Sequence, residues 1–118
     1  MATEDPFVRL RQICLALPEA IPKPFGGHTT PGFRVRDKFF AMGADGDGRV
    51  SVWCKAPPGA QEVLVGAEPE RFFAPPYVAN NGWVGVRLDI PTDWDVVADL
   101  VRDSYRMTAP KRLARLLE

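Results

Sequence analysis

The stretch "DSYRMTAPKR" places Ser104 and Tyr105 close in sequence to Lys111. These residue types could build a serine–lysine or tyrosine–lysine nucleophilic pair. Such a pair needs a base within hydrogen-bond reach and donors for an oxyanion. No sharp strand–turn–helix setting of a nucleophile elbow surrounds Ser104, so its hydroxyl is expected to bond backbone or Tyr77. His28, the single histidine, sits in "GGHTT". A general base would need an orienting partner that the sequence does not identify. Cys14 and Cys54 lie among apolar neighbours with no CxxC spacing, so each reads as a small buried hydrophobe rather than a metal ligand. "ADGDG" superficially resembles a calcium loop but lacks the later ligands and the terminal glutamate, and reads as a turn.

Binding chemistry is better represented. Arg34, Arg36 and Lys38 alternate through "FRVRDK", and Arg106, Lys111 and Arg112 cluster near the C-terminal end. On exposed elements these six could contact phosphates, which position a nucleic acid without specifying its sequence. A second set, His28, Tyr77, Trp83, Arg87 and Tyr105, could line an aromatic pocket for a planar ligand. Tyr77 and Trp83 belong to "RFFAPPYVANNGWVGVRLD", where Pro75-Pro76 stiffens the chain and Asn81-Gly82 favours a tight turn. Stacking on such rings is worth roughly 1–3 kcal/mol per base.

The elements that must hold these residues follow from periodicity. Asp5 caps a first helix with Pro6 at its first position, and Phe7, Leu10, Cys14 and Leu17 form one apolar stripe ended by Pro18. "AIPKPF" can be only an edge strand or extended arm. "FRVRDKFFAM" reads as a hairpin turning at Arg36-Asp37 or Asp37-Lys38. In "RVSVWCK", Val50, Val52 and Cys54 share one face and Ser51, Trp53 and Lys55 the other. "PPGAQEVLVGA" predicts a short helix from Pro58 to Gly66, and "EPERFF" a tight turn. "GWVGVRLD" is the last strand, with Trp83, Gly85 and Arg87 opposite Val84, Val86 and Leu88. A long helix follows, capped by Thr92 with Asp95 reaching back; Trp94, Val97, Ala98, Val101 and Tyr105 mark its buried stripe. A terminal helix begins at Thr108 or Ala109, with Leu113, Leu116 and Leu117 facing inward. The order α-β-β-β-β-α-β-α-α, with short turns between strands, implies an antiparallel sheet with helices on one face.

Bulk properties narrow the classes. At 118 residues one domain is expected, spanning 1–118. Fifteen basic and fifteen acidic residues cancel, which disfavours an indiscriminate polyanion binder. The C-terminal segment from Arg102 to Leu117 nonetheless carries a net +4. No run approaches the ~20 apolar residues of a membrane span, and the N-terminal segment lacks the features of a signal peptide. A cytoplasmic location is expected.

Four segments, "GFRVRDKFFAM", "PERFFAPPYV", "NGWVGVRLD" and "DSYRMTAPKRLA", together resemble the MmcQ/YjbR family and fall in that family's order. The resemblance covers nearly the whole chain. It implies a small bacterial α+β protein: a two-layer sandwich with an antiparallel sheet of about five strands and helices on one face, similar to secretion-chaperone folds. It implies no catalytic activity and no cofactor, and a DNA-binding role through a double-wing shape. Asn80-Asn81 departs from the more basic pair expected before Gly-Trp-Val, which removes positive charge from a contact loop. The leading expectation is therefore a non-catalytic DNA-binding protein using Arg34, Arg36, Lys38, Arg106, Lys111 and Arg112. A small-molecule domain that binds an aromatic metabolite is the alternative, and a protein-interaction module the third reading. A monomer or weak dimer is expected, with no membrane partner and no metal.

Overall fold

The computed structural model describes residues 5–23, 30–76, 78 and 81–117. Helix α1 (Pro6–Leu15) begins as its sequence requires, with the Asp5 carboxylate accepting from the Phe7 amide at 2.9 Å. Six strands follow: β1 (Ile21–Pro22), β2 (Gly32–Val35), β3 (Lys38–Ala44), β4 (Ser51–Lys55), β5 (Phe72–Phe73) and β6 (Trp83–Arg87). Helix α2 (Ala60–Ala67) lies between β4 and β5, and α3 (Trp94–Thr108) and α4 (Lys111–Ala114) close the chain with a 3-10 turn at Arg115–Leu117. The strands form one sheet in the order β1-β2-β3-β4-β6-β5, and every pairing is antiparallel.

The sheet has two unlike faces. Phe33, Val52, Cys54, Val84 and Val86 point toward α1 and α3 and are fully or almost fully buried. Tyr105 of α3 meets Phe40 edge-on at 5.4 Å, and its hydroxyl donates to the Pro18 carbonyl at 2.6 Å. That bond ties α3 to the chain just after α1. The other face presents Arg34, Phe39, Met42, Trp53, Lys55, Trp83, Gly85 and Arg87. In the middle of this open face, register aligns Gly32, Met42, Trp53, Gly85 and Phe73 in one row across five strands.

Two local devices keep the faces distinct. The β2–β3 hairpin turns on Arg36 and Asp37, both at positive φ (50° and 65°), the geometry of a two-residue turn that matches strand twist. Farther along the same hairpin, β2 skips Phe40: Phe33 opposes Ala41 and Arg34 opposes Phe39. Phe40 is thus the extra residue of a β-bulge, so it and Ala41 are both buried while Phe39 stays on the open side. The β3–β4 ladder ends at Ala41–Cys54. Beyond it the Ser104 hydroxyl of α3 accepts from the Lys55 amide at 2.9 Å and donates to the Phe40 carbonyl at 2.6 Å. A helix side chain thereby bridges two strands where their own ladder stops.

Several expectations need correction. The sheet has six strands rather than about five, because Phe72–Phe73 of "EPERFF" pairs with Val86 and Gly85 instead of forming only a turn. Helix α2 starts at Ala60 rather than Pro58, since Gly59 takes φ +83° and breaks the helical path. Asp93, not Thr92, caps α3: its carboxylate accepts from the amides of Asp95 and Val96, while Thr92 Oγ1 donates to the Ile90 carbonyl. A carboxylate is the stronger acceptor for amides at the positive end of a helix. Helix α4 begins at Lys111, after Pro110 in an extended conformation, and is too short to carry Leu116 inward; that side chain is 65% exposed.

Candidate ligand groove on the open face of the sheet

The groove lies where β3 turns into β4. Trp53 and Phe73 bring rings to its lining, together with Thr30, Ser51 and Pro76. Its volume is about 440 Å³, within the range of roughly 300–1,000 Å³ usual for small-molecule sites. The turn residues Asp45 and Asp47 form its rim.

Packing fixes these walls. Gly85 lacks a side chain because the Phe73 ring lies against it; a Cβ at Gly85 would sit 2.3 Å from Phe73 Cζ. The Arg87 guanidinium stacks over the same ring at 4.1 Å and donates to Asp47 Oδ2 at 2.7 Å. Asp47 also accepts from the Arg49 amide. The hydrogen bond from Arg87, then that amide, hold the Asp47 carboxyl below the usual carboxylate range. Arg49 is paired in turn with Asp89 at 2.9 Å, which lowers the Asp89 carboxyl in the same way.

Two donors on this face lack partners. Trp53 Nε1 and Arg34 Nε are buried with no hydrogen-bond acceptor among the described residues. A buried donor left unpaired costs about 1–3 kcal/mol, so such exceptions call for a reason beyond packing. Arg34 recovers part of the loss by stacking over the Phe39 ring at 4.1 Å.

The residues expected to bind nucleic acid are divided by the fold. Arg34 lies on the open face. Arg36 is in the hairpin turn, paired with Glu19 at 2.9 Å, and Lys38 is exposed beside it. Lys111 and Arg112 are exposed on α4. The Glu19 carboxyl is lowered first by its bond to Arg36 and also by the charge of Arg112, so the hairpin tip and α4 share one end of the molecule. Arg106 is tied to Asp103 at 3.0 Å one turn away on α3.

The aromatic-pocket set is divided as well. His28 and Tyr77 lie outside the described residues, as does Asn80. Trp83 is on the open face but only 6% exposed, with its carbonyl accepting from Gln61 Nε2. Arg87 stands beside the groove. Tyr105 is fully buried under the opposite face and cannot line this pocket. Sequence did not mark Trp53, Ser51 or Phe73 as pocket residues. The signal was there in Trp53, a tryptophan on the side of its strand opposite Val52 and Cys54.

Ser104 is fully buried and its proton is committed to Phe40. Burial pushes the Cys54 thiol up to about 12 and raises Cys14 as well. Among the described residues, no group of three or more His, Cys, Asp or Glu side chains could hold a metal ion. No helix among them is long and apolar enough to cross a membrane.

Comparison with known proteins bears on the fold and the family. No curated protein matches the sequence. The crystal structure of Deinococcus radiodurans protein DR2400, with a DUF419 domain, is similar with a TM-score of 0.75 and 22% identity, over 89% of this chain and 81% of that one. At that identity the likeness speaks for the fold alone: an open antiparallel sheet with helices on one side. The YjbR family profile matches residues 15–107, a span from the end of α1 through nearly all of α3, and the chain belongs to the YjbR family.

Proposed function

We propose that the chain is a non-catalytic binding protein whose ligand is a planar ring held in the open-face groove. The observation that carries this is Trp53: its ring walls a cavity of ligand size, while its indole N–H is buried with no acceptor among the described residues. A ring stacked between Trp53 and Phe73 would cover apolar surface, and modest movement of the indole would give that donor a partner. The test is a thermal-shift and calorimetric screen of neutral planar heteroaromatics such as quinoline and adenine. A ligand at 100 times its Kd stabilises the fold by about 2.7 kcal/mol, and Trp53→Leu removes the effect in a protein that still folds by circular dichroism. No shift with any member of the panel would sink the reading.

A second reading, DNA binding, is favoured by the convergence of Arg36, Lys38, Lys111 and Arg112 at one end of the molecule. Arg34 and Arg106 drop out, the first by facing the open side and the second by its bond to Asp103. This reading expects duplex affinity that falls steeply with salt and weakens when Lys111 and Arg112 become alanine. Binding indifferent to salt and to both changes would refute it.

A further inference from the structure

We infer, on the groove reading above, that the site selects a planar ring carrying an amine or ammonium group and turns away anions, phosphate esters included. The argument is one of charge. Asp45 and Asp47 line the groove, and among the described residues no lysine or arginine lines it. Both arginines nearest the rim are already committed: Arg87 to Asp47 and to the Phe73 face, Arg49 to Asp89. Three carboxylates therefore face two guanidiniums, and Asp45 is the one with no side-chain partner among the described residues. In sequence, residues 24–29 and 77–80, which adjoin Thr30 and Pro76, contain no lysine or arginine. An anion entering here would meet an uncompensated carboxylate over apolar walls. A ring amine would find Asp45 as acceptor, and an acceptor atom in the ring would suit the unpaired Trp53 N–H. The ring–ammonium combination also suits the half-buried Trp53 ring, since aromatic faces attract cations.

The experiment compares aminomethylquinoline, whose alkyl amine is protonated while its ring nitrogen stays an acceptor, with quinoline carboxylate at neutral pH by isothermal titration calorimetry. The two share a ring and differ in charge. Aminomethylquinoline binds at one site per chain, about fivefold or more tighter than the carboxylate, the scale of one rim ion pair. Asp45→Asn, a change in an exposed turn, abolishes that preference without loss of fold. If the carboxylate binds equally well or better, and Trp53→Leu or Phe73→Ala still removes binding, the charge selection is overturned and the groove stands. If neither compound binds, or binding survives both groove variants, the groove reading falls with it.

Discussion

Replacing Ser104 by alanine tests the link between α3 and the sheet. The hydroxyl serves two backbone groups at once, the Lys55 amide and the Phe40 carbonyl. Its loss leaves a buried acceptor and a part-buried donor, at about 1–3 kcal/mol each if nothing replaces it. Partial closure of the strands would recover some of this, so about 3 kcal/mol of destabilisation is expected. The intrinsic helix preference has the opposite sign, since alanine is favoured over serine by a few tenths of a kcal/mol. A surface serine-to-alanine change in a helix would therefore be neutral or stabilising. Removal of one oxygen leaves almost no cavity, so a measured loss reports the two hydrogen bonds. At about 4 °C per kcal/mol for a chain of this size, the melting temperature falls by roughly 12 °C. Urea unfolding followed by tryptophan fluorescence gives the free energy directly. The slope of stability against urea stays unchanged if the folded and unfolded states keep their compactness. A change within about 0.5 kcal/mol of zero would refute the view that Ser104 clips β3 to β4.

Three further outcomes follow from the geometry. Gly85→Ala forces the Phe73 ring off β6, costs about 1–3 kcal/mol by overpacking, and weakens groove ligands beyond what the stability loss explains; unchanged affinity and melting temperature would contradict the contact. Glu19, Asp47 and Asp89 all have folded carboxyl pKa values below their unfolded ones. Their contribution is therefore complete above about pH 4, where unfolded carboxylates titrate, and is lost as pH falls through the lower folded values. The urea midpoint should decline through that acid window, and less steeply when Glu19→Gln and Asp47→Asn are combined. Burial and raised pKa values at Cys14 and Cys54 leave almost no thiolate in the native state. Thiol labelling at mildly alkaline pH should proceed only through opening of the fold, and fast labelling under native conditions would show one of them exposed.

Most of the architecture was legible because local patterns and global packing agree. The alternation in "RVSVWCK" and "GWVGVRLD" sorts Val52, Cys54, Val84 and Val86 from Trp53, Gly85 and Arg87 as the structure does. Asp5 and the stripe through Leu10 and Cys14 place α1. What escaped depends on distant partners. Phe72–Phe73 is a strand only because β6 is beside it, and two residues carry no period. Phe40 breaks alternation through a bulge that no local propensity announces. The groove joins Thr30, the β3–β4 turn and Pro76, far apart in sequence, so its assembly could not be read from spacing. Tyr105 was correctly read as part of a buried stripe, and that burial is why it cannot also serve as a pocket residue.

The extra residue in β3 bears on how this chain tolerates changes of length. Removing Phe40 would restore strict alternation with Phe39 and Ala41 on their present sides, so no neighbouring side chain would be turned inside out. The deletion would take away one core ring and the oxygen that receives the Ser104 proton, and nothing else in the register. Loss of a residue here should therefore act like a truncation within an intact sheet, whereas loss of one inside the regular ladder at Val52 would exchange the wet and dry sides of half a strand.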